Sequence, residues 1–202
     1  MKLLLCAVLL GMGVSVMAQH AAGMTEKASK EAKKEAKRLK KEKWQILPGA
    51  LPLERQVDKS YQIQYETDMH FQPKYVMGRA QSVGEFYDAA KLTAEALAKQ
   101  DMASKISSEF TGLIEAQLKN EQHSPEMATS VSQVAAEAKS IFEQHLGRIT
   151  PVMELTRTKK NGNVEVLIVL AYDMGKGLAA GKEYVDSKCK EKGIPFVTTL
   201  VQ

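Results

Sequence analysis

The strongest constraint on this chain is a long alanine-rich run, GEFYDAAKLTAEALAKQDMASKISSEFTGLIEAQLKNEQ, from about Gly84 to about Gln122. Apolar or small residues recur three or four apart at Ala89, Leu92, Ala96, Ala103, Ile106, Phe110 and Leu113. Lys91, Glu95, Lys99, Lys105 and Glu109 fall elsewhere on the wheel. That spacing predicts one helix with a single apolar face. At roughly 1.5 Å per residue it is a rod of about 55 Å, longer than most globular helices. Its alanines matter as much as its larger residues, because small side chains let a helix lie close to a sheet. The rest of the chain is expected to pack around this rod.

A second helix is expected after His123. Ser124-Pro125-Glu126 offers a serine cap, proline at the first helical position and an acid in the first turn. Met127, Val131, Val134, Ala138, Ile141 and Leu146 form its apolar line, and Gly147 ends it. Folded back on the first helix, it completes a long helical hairpin.

Strands are expected on either side. Tyr61, Ile63 and Tyr65 alternate with Gln62, Gln64 and Glu66, which predicts a half-buried strand. Lys74 to Val83 predicts a second, with Tyr75, Met77 and Arg79 on one face. Asn161-Gly162 lies between two strand-like runs, a strong hairpin signal. A two-residue turn there pairs Leu155 with Ile168, Met153 with Leu170 and Arg157 with Val166. The second of these strands, VEVLIVLAY, is apolar on both sides, so it belongs in the middle of its sheet with both faces covered. Leu167 and Val169 are therefore a candidate partner face, covered either by the C-terminal helix through Leu178 and Val185 or by another chain. That helix is expected over Gly175 to Lys192, with Cys189 inward, Gly193 and Pro195 beyond it and a short strand at the end.

Charge is distributed unevenly. Residues 25 to 43, TEKASKEAKKEAKRLKKEK, hold nine Lys or Arg against four Glu, whereas residues 45 to 202 are close to neutral. A nearly neutral body argues against a nucleic-acid-binding domain. The basic segment favours a helix, but its only apolar line is Ala28, Ala32, Ala36 and Leu39, which reads as a solvated spacer. The alternative is a tether to anionic lipid or polysaccharide, with Lys30, Lys33, Lys34, Lys37, Arg38, Lys40 and Lys41 as the contacts. After it, Trp44 with Ile46 and Leu47 is expected to clamp against the domain edge.

The N-terminus MKLLLCAVLLGMGVSVMAQ places one lysine before an apolar run and ends in Val16-Met17-Ala18. That pattern predicts a signal peptide cleaved before Gln19, hence an exported protein, periplasmic or envelope-associated. Cleavage removes Cys6 and leaves Cys189 alone, so no internal disulfide is expected. No second apolar run reaches membrane-spanning length.

Residue patterns for chemistry are weak. GKGLAAGKE fails as a phosphate-binding loop, because Lys176 stands where the first glycine belongs and Glu183 follows Gly181-Lys182. Gly177 and Gly181 instead predict close helix packing. Asp68 and His70 are two metal-ligand types without a third. His20, His70, His123 and His145 show no ligand spacing, and no nucleophile elbow occurs. No enzyme activity, metal or cofactor is expected.

The stretch VMGRAQSVGEFYDAAKLTAEALAKQDMASKIS, followed by NGNVEVLIVLAYD, resembles the Lpp-twenty lipoprotein family of bacterial envelopes. The domain of that family is similar to the N-terminal part of flagellar assembly protein T. The resemblance covers roughly residues 74 to 174. It rests on a glycine-bearing strand, a helix of repeated alanines and a late strand of the VLIVLAYD kind. The lipobox cysteine of that family has no counterpart at a usable position here. The resemblance implies an envelope or assembly protein without catalytic residues.

The expected architecture is thus α+β. A mostly antiparallel sheet of three to five strands packs on the helical hairpin, with a basic N-terminal helix. Residues 1–18 are the signal peptide, 19–44 the basic segment or spacer, and 45–202 a single domain. The expected function is non-enzymatic and exported, acting through an envelope protein partner or self-association.

Overall fold

The fold is given by a computed structural model that describes residues 29–147, 149 and 151–199. The expected signal peptide, Cys6 and the first part of the basic segment lie outside the described residues. In chain order the elements are α1 (Lys30–Lys41), β1 (Gln45–Ile46), α2 (Leu53–Gln64), β2 (Tyr75–Gly84), α3 (Tyr87–Asn120), α4 (Pro125–Glu137), α5 (Lys139–His145), β3 (Met153–Thr158), β4 (Val164–Asp173) and α6 (Met174–Glu191). The strands form one antiparallel sheet in the order β1-β3-β4-β2. The fold is α+β, and the doubly apolar β4 is central, between β3 and β2.

The long helix is 34 residues, but its buried face differs from the expected one. Ala90, Ala94, Ala98, Met102, Ile106, Phe110, Ile114 and Leu118 are buried, at every fourth position. Ala89, Leu92 and Ala96 face solvent instead, with Leu92 71% exposed. A four-residue step advances about 40° beyond a full turn, so the buried stripe winds around the helix. The early part of α3 therefore faces the sheet, and the later part faces α4, α5 and α6. A template that follows one straight face cannot detect such a stripe.

Small residues meet small residues where α3 crosses the sheet. Val76, Gly78 and Ala80 of β2 pair with Tyr172, Leu170 and Ile168 and share the face turned toward α3. A Cβ on Gly78 would lie 2.2 Å from the Ala98 carbonyl oxygen. Glycine there and alanine opposite set how closely helix and sheet approach.

α4 follows after a four-residue connection, with Ser124 Oγ accepting the Met127 N–H at 3.3 Å as the cap. The single helix expected to Leu146 is broken at Ala138 into α4 and α5. Phe142 of α5 meets Phe110 edge to face, with ring centroids 5.6 Å apart. The two rings sit where a side chain on Gly181 of α6 would be: its Cβ would lie 2.8 Å from Phe142 and 2.9 Å from Phe110. Gly181 thus serves close packing between α6 and its neighbours.

The strand expected at Tyr61 to Tyr65 is a helical end. Leu53, Val57 and Tyr61, four apart, face inward on α2, and Pro52 opens the helix at a position where proline is tolerated. Alternation over five residues was too short to outweigh that longer spacing. The buried polar groups of α2 are paired. Gln56 Nε2 donates to the Leu51 carbonyl at 2.7 Å, and Glu154 N–H donates to Gln56 Oε1 at 3.1 Å.

The β3–β4 register is also shifted by one residue from the expected one. Leu155 pairs with Leu167 and Met153 with Val169. The connection is a three-residue loop, Lys160-Asn161-Gly162, closed by Lys159 N–H to Asn163 O at 2.8 Å and Gly162 N–H to Lys159 O at 3.0 Å. Gly162 takes φ +89, which makes this a turn followed by a glycine bulge. A one-residue slip in register turns every side chain to the other face. Leu155, Met153, Leu167 and Val169 therefore lie together on the sheet face opposite α3.

That face is not covered by α6. It is covered by α1 and α2, in a second core of Ala32, Ala36, Leu39, Trp44, Leu53, Val57, Met153, Leu155, Leu167 and Val169. Leu178 and Val185 of α6 join the main core with α3. Over its described residues the basic helix is accordingly no solvated spacer: Ala32, Ala36 and Leu39 are buried against the sheet, and no packing boundary falls at residue 45. Two alanines and a leucine suffice because the facing surface, from β4, β3 and Trp44, carries the bulk.

Candidate functional site

Three places are candidates: the outer side of α1 and the sheet face holding Leu167 and Val169, both singled out by the sequence, and the connection from α2 to β2.

On α1 the cap is Ser29, whose Oγ accepts the Ala32 N–H at 3.2 Å. Its backbone N–H donates to Asp58 Oδ1 of α2 at 2.8 Å, which pins the helix start to the domain. With Ala32, Ala36 and Leu39 turned inward, Lys30, Lys33, Lys34, Lys37, Arg38, Lys40 and Lys41 all turn outward and are exposed. They are not equivalent. Arg38 is held between Glu35 and Glu42, and Lys40 pairs with Glu54 at 3.2 Å. The Arg38 guanidinium holds the Glu35 carboxyl below its ordinary range. Among the described residues no ion pair engages Lys30, Lys33, Lys34, Lys37 or Lys41. The structure thus brings five uncommitted lysines onto one docked helix.

Leu167 and Val169 are buried inside the chain, at 0% and 3% exposure. They are core residues, and the candidate partner face at these positions is corrected accordingly. The cover was internal, but it came from the N-terminal helices. Trp44, expected as an edge clamp, completes this core at 3% exposure. The Arg157 guanidinium lies 4.3 Å from its ring centroid, donates to the Glu42 carbonyl at 2.9 Å and pairs with Glu165 at 2.6 Å.

The third surface was missed by the sequence reading. Between α2 and β2 the chain makes a compact loop centred on Asp68. One carboxylate oxygen of Asp68 accepts the backbone N–H groups of His70 at 2.8 Å and Gln72 at 2.9 Å. Its own N–H donates to the Gln72 carbonyl at 2.9 Å, and Thr67 bridges Pro73. Glu66 and Lys74 pair at the neck, 2.5 Å apart. Those hydrogen bonds hold the Asp68 carboxyl below its ordinary range, the Gln72 amide contributing most. Asp68 is thus a turn organiser here, rather than half of a metal site with His70.

This hydrogen-bonded loop presents apolar side chains to solvent. Tyr65 is 75% exposed, Met69 91% and Phe71 86%. Phe71 is held at φ +60, a left-handed conformation that bulky side chains avoid. The Phe71 N–H donates to the Asp68 carbonyl at 3.2 Å and closes the turn, while its side chain stays in water. The signal legible in sequence was Asp68 two residues before His70, the Asx-turn spacing, with Met and Phe inside a polar connection.

Among the described residues no three of His, Cys, Asp and Glu come together as a metal site. Tyr87, Lys91 and Glu154 form one titratable cluster, with Lys91 Nζ 3.0 Å from Glu154 and the Tyr87 hydroxyl donating to the same carboxylate. They tie the start of α3 to β3. Cys189 is buried, and burial pushes its thiol upward, away from the reactive thiolate. No helix among the described residues is long and apolar enough to cross a membrane.

Comparison of the chain with protein-family models, curated proteins and solved structures returns no match.

Proposed function

We propose that this chain is an exported, non-enzymatic protein of a bacterial cell envelope that acts through protein contacts. The observation that carries the reading is the Asp68-centred loop. It holds Tyr65, Met69 and Phe71 out in water, and keeps Phe71 in a backbone conformation that costs energy. Exposed apolar groups on a hydrogen-bonded, strained support fit a protein-binding anchor. The N-terminal apolar run with its small-x-small ending supports export, and the resemblance to envelope lipoproteins over residues 74 to 174 supports the compartment.

The test places a photo-crosslinking residue at Met69 or at Phe71, with Glu109 on the exposed side of α3 as control, in cells that export the protein. Discrete adducts at the loop and none at Glu109 support the reading. Equal labelling at all three positions, or none at the loop, sinks it. Intact mass of the exported protein tests export itself, the expected chain starting at Gln19.

A second reading rests on α1. Five uncommitted lysines on a docked helix form a fixed basic ridge suited to anionic lipid or polysaccharide. Replacing Lys30, Lys33, Lys34, Lys37 and Lys41 with Gln should abolish salt-sensitive binding to anionic vesicles and leave the fold intact. Absence of such binding by the unaltered protein at low salt ends this reading.

A further inference from the structure

The C-terminal segment beyond α6 is held in an unusual way. Gly193, at φ +66, turns the chain off the helix, and Ile194 to Thr199 then run back along α6 toward the end of α3. A short strand is expected here from the sequence, yet among the described residues no strand pairs with this segment. Side chains take the place of both neighbours. On one edge the Gln117 carboxamide of α3 donates from Nε2 to the Val197 carbonyl at 2.8 Å and accepts the Thr199 N–H at 2.9 Å. On the other, Asp186 of α6 accepts the Thr198 N–H at 2.7 Å, and Lys182 donates to the Thr198 carbonyl. Lys182 also pairs with Asp186 at 2.9 Å, which fixes both against each other.

The carbonyl of one residue and the N–H two residues on lie along the same edge of an extended chain, and the intervening residue addresses the opposite edge. Gln117 and the Asp186–Lys182 pair therefore read the main chain as two flanking strands do. Side chains alternate accordingly. Phe196 and Thr198 point in, at 4% and 1% exposure, and Val197, at 68%, points out. The His123 ring meets Phe196 edge to face at 5.8 Å. Main-chain hydrogen bonds with pockets for alternate side chains are the recognition mode of an extended peptide.

We propose that the cleft between the C-terminal end of α3 and α6 is a binding site for an extended protein segment that buries an aromatic side chain and, two residues on, a small one, and that this chain's own tail occupies it as a displaceable plug. Its residues are separate from the Asp68-centred loop, so the two proposals stand or fall separately. Everything that recognises the tail's backbone comes from Gln117, Lys182 and Asp186, and none of it depends on the tail being covalently attached.

The test uses the full chain with its tail weakened by Phe196→Ala and Thr199→Pro, and a fluorescein-labelled peptide GIPFVTT as probe. The altered protein should bind the peptide saturably, about tenfold more tightly than the unaltered protein, whose tail competes at high effective concentration. Binding should fall about tenfold or more with the peptide GIPAVTT, or on adding Gln117→Leu, because an anchor or one recognised edge is lost. A folded double variant that fails to bind, or that binds both peptides equally, overturns the proposal. If circular dichroism shows the double variant unfolded, hydrogen exchange on the unaltered protein decides. Thr198 and Thr199 amides exchanging about a hundredfold faster than those of Val185 and Cys189 mean that the tail opens locally and support the plug. Equal rates mean that it leaves only on global unfolding, and the proposal fails.

Discussion

Leu39→Ala tests whether the basic helix is part of the domain. Leu39 is 1% exposed and lies in the second core with Trp44, Leu155, Leu167 and Val169. Truncating a fully buried leucine costs about 2–5 kcal/mol, the transfer term of the lost methyl groups plus the cavity left behind. The upper end is less apt here, since a helix held by two alanines and a leucine can settle inward and partly close the gap. About 3 kcal/mol is the working figure. For a chain of this size 1 kcal/mol moves the midpoint by about 2–4 °C, so the melting temperature should drop by about 6–12 °C. Lys34→Ala, exposed on the outer side of the same helix, should stay within about 0.5 kcal/mol. Calorimetry or thermal circular dichroism on the two variants measures both effects. If the two variants melt alike, α1 is a free spacer and the second core is misassigned. By the same reasoning a chain beginning at Trp44 should lose stability, because the second core would lose Ala32, Ala36 and Leu39 and part of its cover.

Three further outcomes follow from the packing and the electrostatics. Gly78→Ala should destabilise by about 1–3 kcal/mol or more, because its Cβ would lie 2.2 Å from the Ala98 carbonyl oxygen and only movement of α3 away from the sheet relieves that. Gly112→Ala, on the open side of the same helix with nothing within 4 Å, should stabilise by about 0.5–1 kcal/mol, and urea midpoints of the pair check both signs. Burial pushes the Glu165 carboxyl up, but Arg157 and Lys159 outweigh it and hold the group below the ordinary 4.5. A depressed carboxyl contributes stability in full above 4.5 and loses it as the pH falls through its folded-state value. Glu165→Gln should therefore cost more at pH 7 than at pH 3 and flatten the acid limb of the melting curve; an unchanged limb contradicts the ion-pair assignment. Cys189, buried with its thiol pushed up by burial, should resist iodoacetamide in the native protein and react on unfolding, as intact mass reports.

Local physics made part of this protein legible from its sequence. Ser124-Pro125-Glu126 starts a helix in any context, because capping and proline geometry are satisfied within one turn. The doubly apolar VEVLIVLAY had to be central, because an edge strand with both faces apolar would leave one in water. The α+β class followed from these elements. What lay beyond was decided by the tertiary structure, for a physical reason in each instance. The register of β3 on β4 turned on one residue of loop length, a choice that Asn161-Gly162 permits either way and the two cores settle. The buried face of α3 winds because its partners change from a sheet to helices along its length. The alanines of α1 have little hydrophobic area of their own, and only the facing surface of Trp44, Leu155 and Val169 makes them a core. The candidate sites follow the same division: exposed lysines at helical spacing could be read directly. The Asp68-centred loop and the clasp of Gln117, Lys182 and Asp186 around the tail could not. They depend on backbone groups and side chains up to 82 positions apart meeting in space, and no local pattern encodes that.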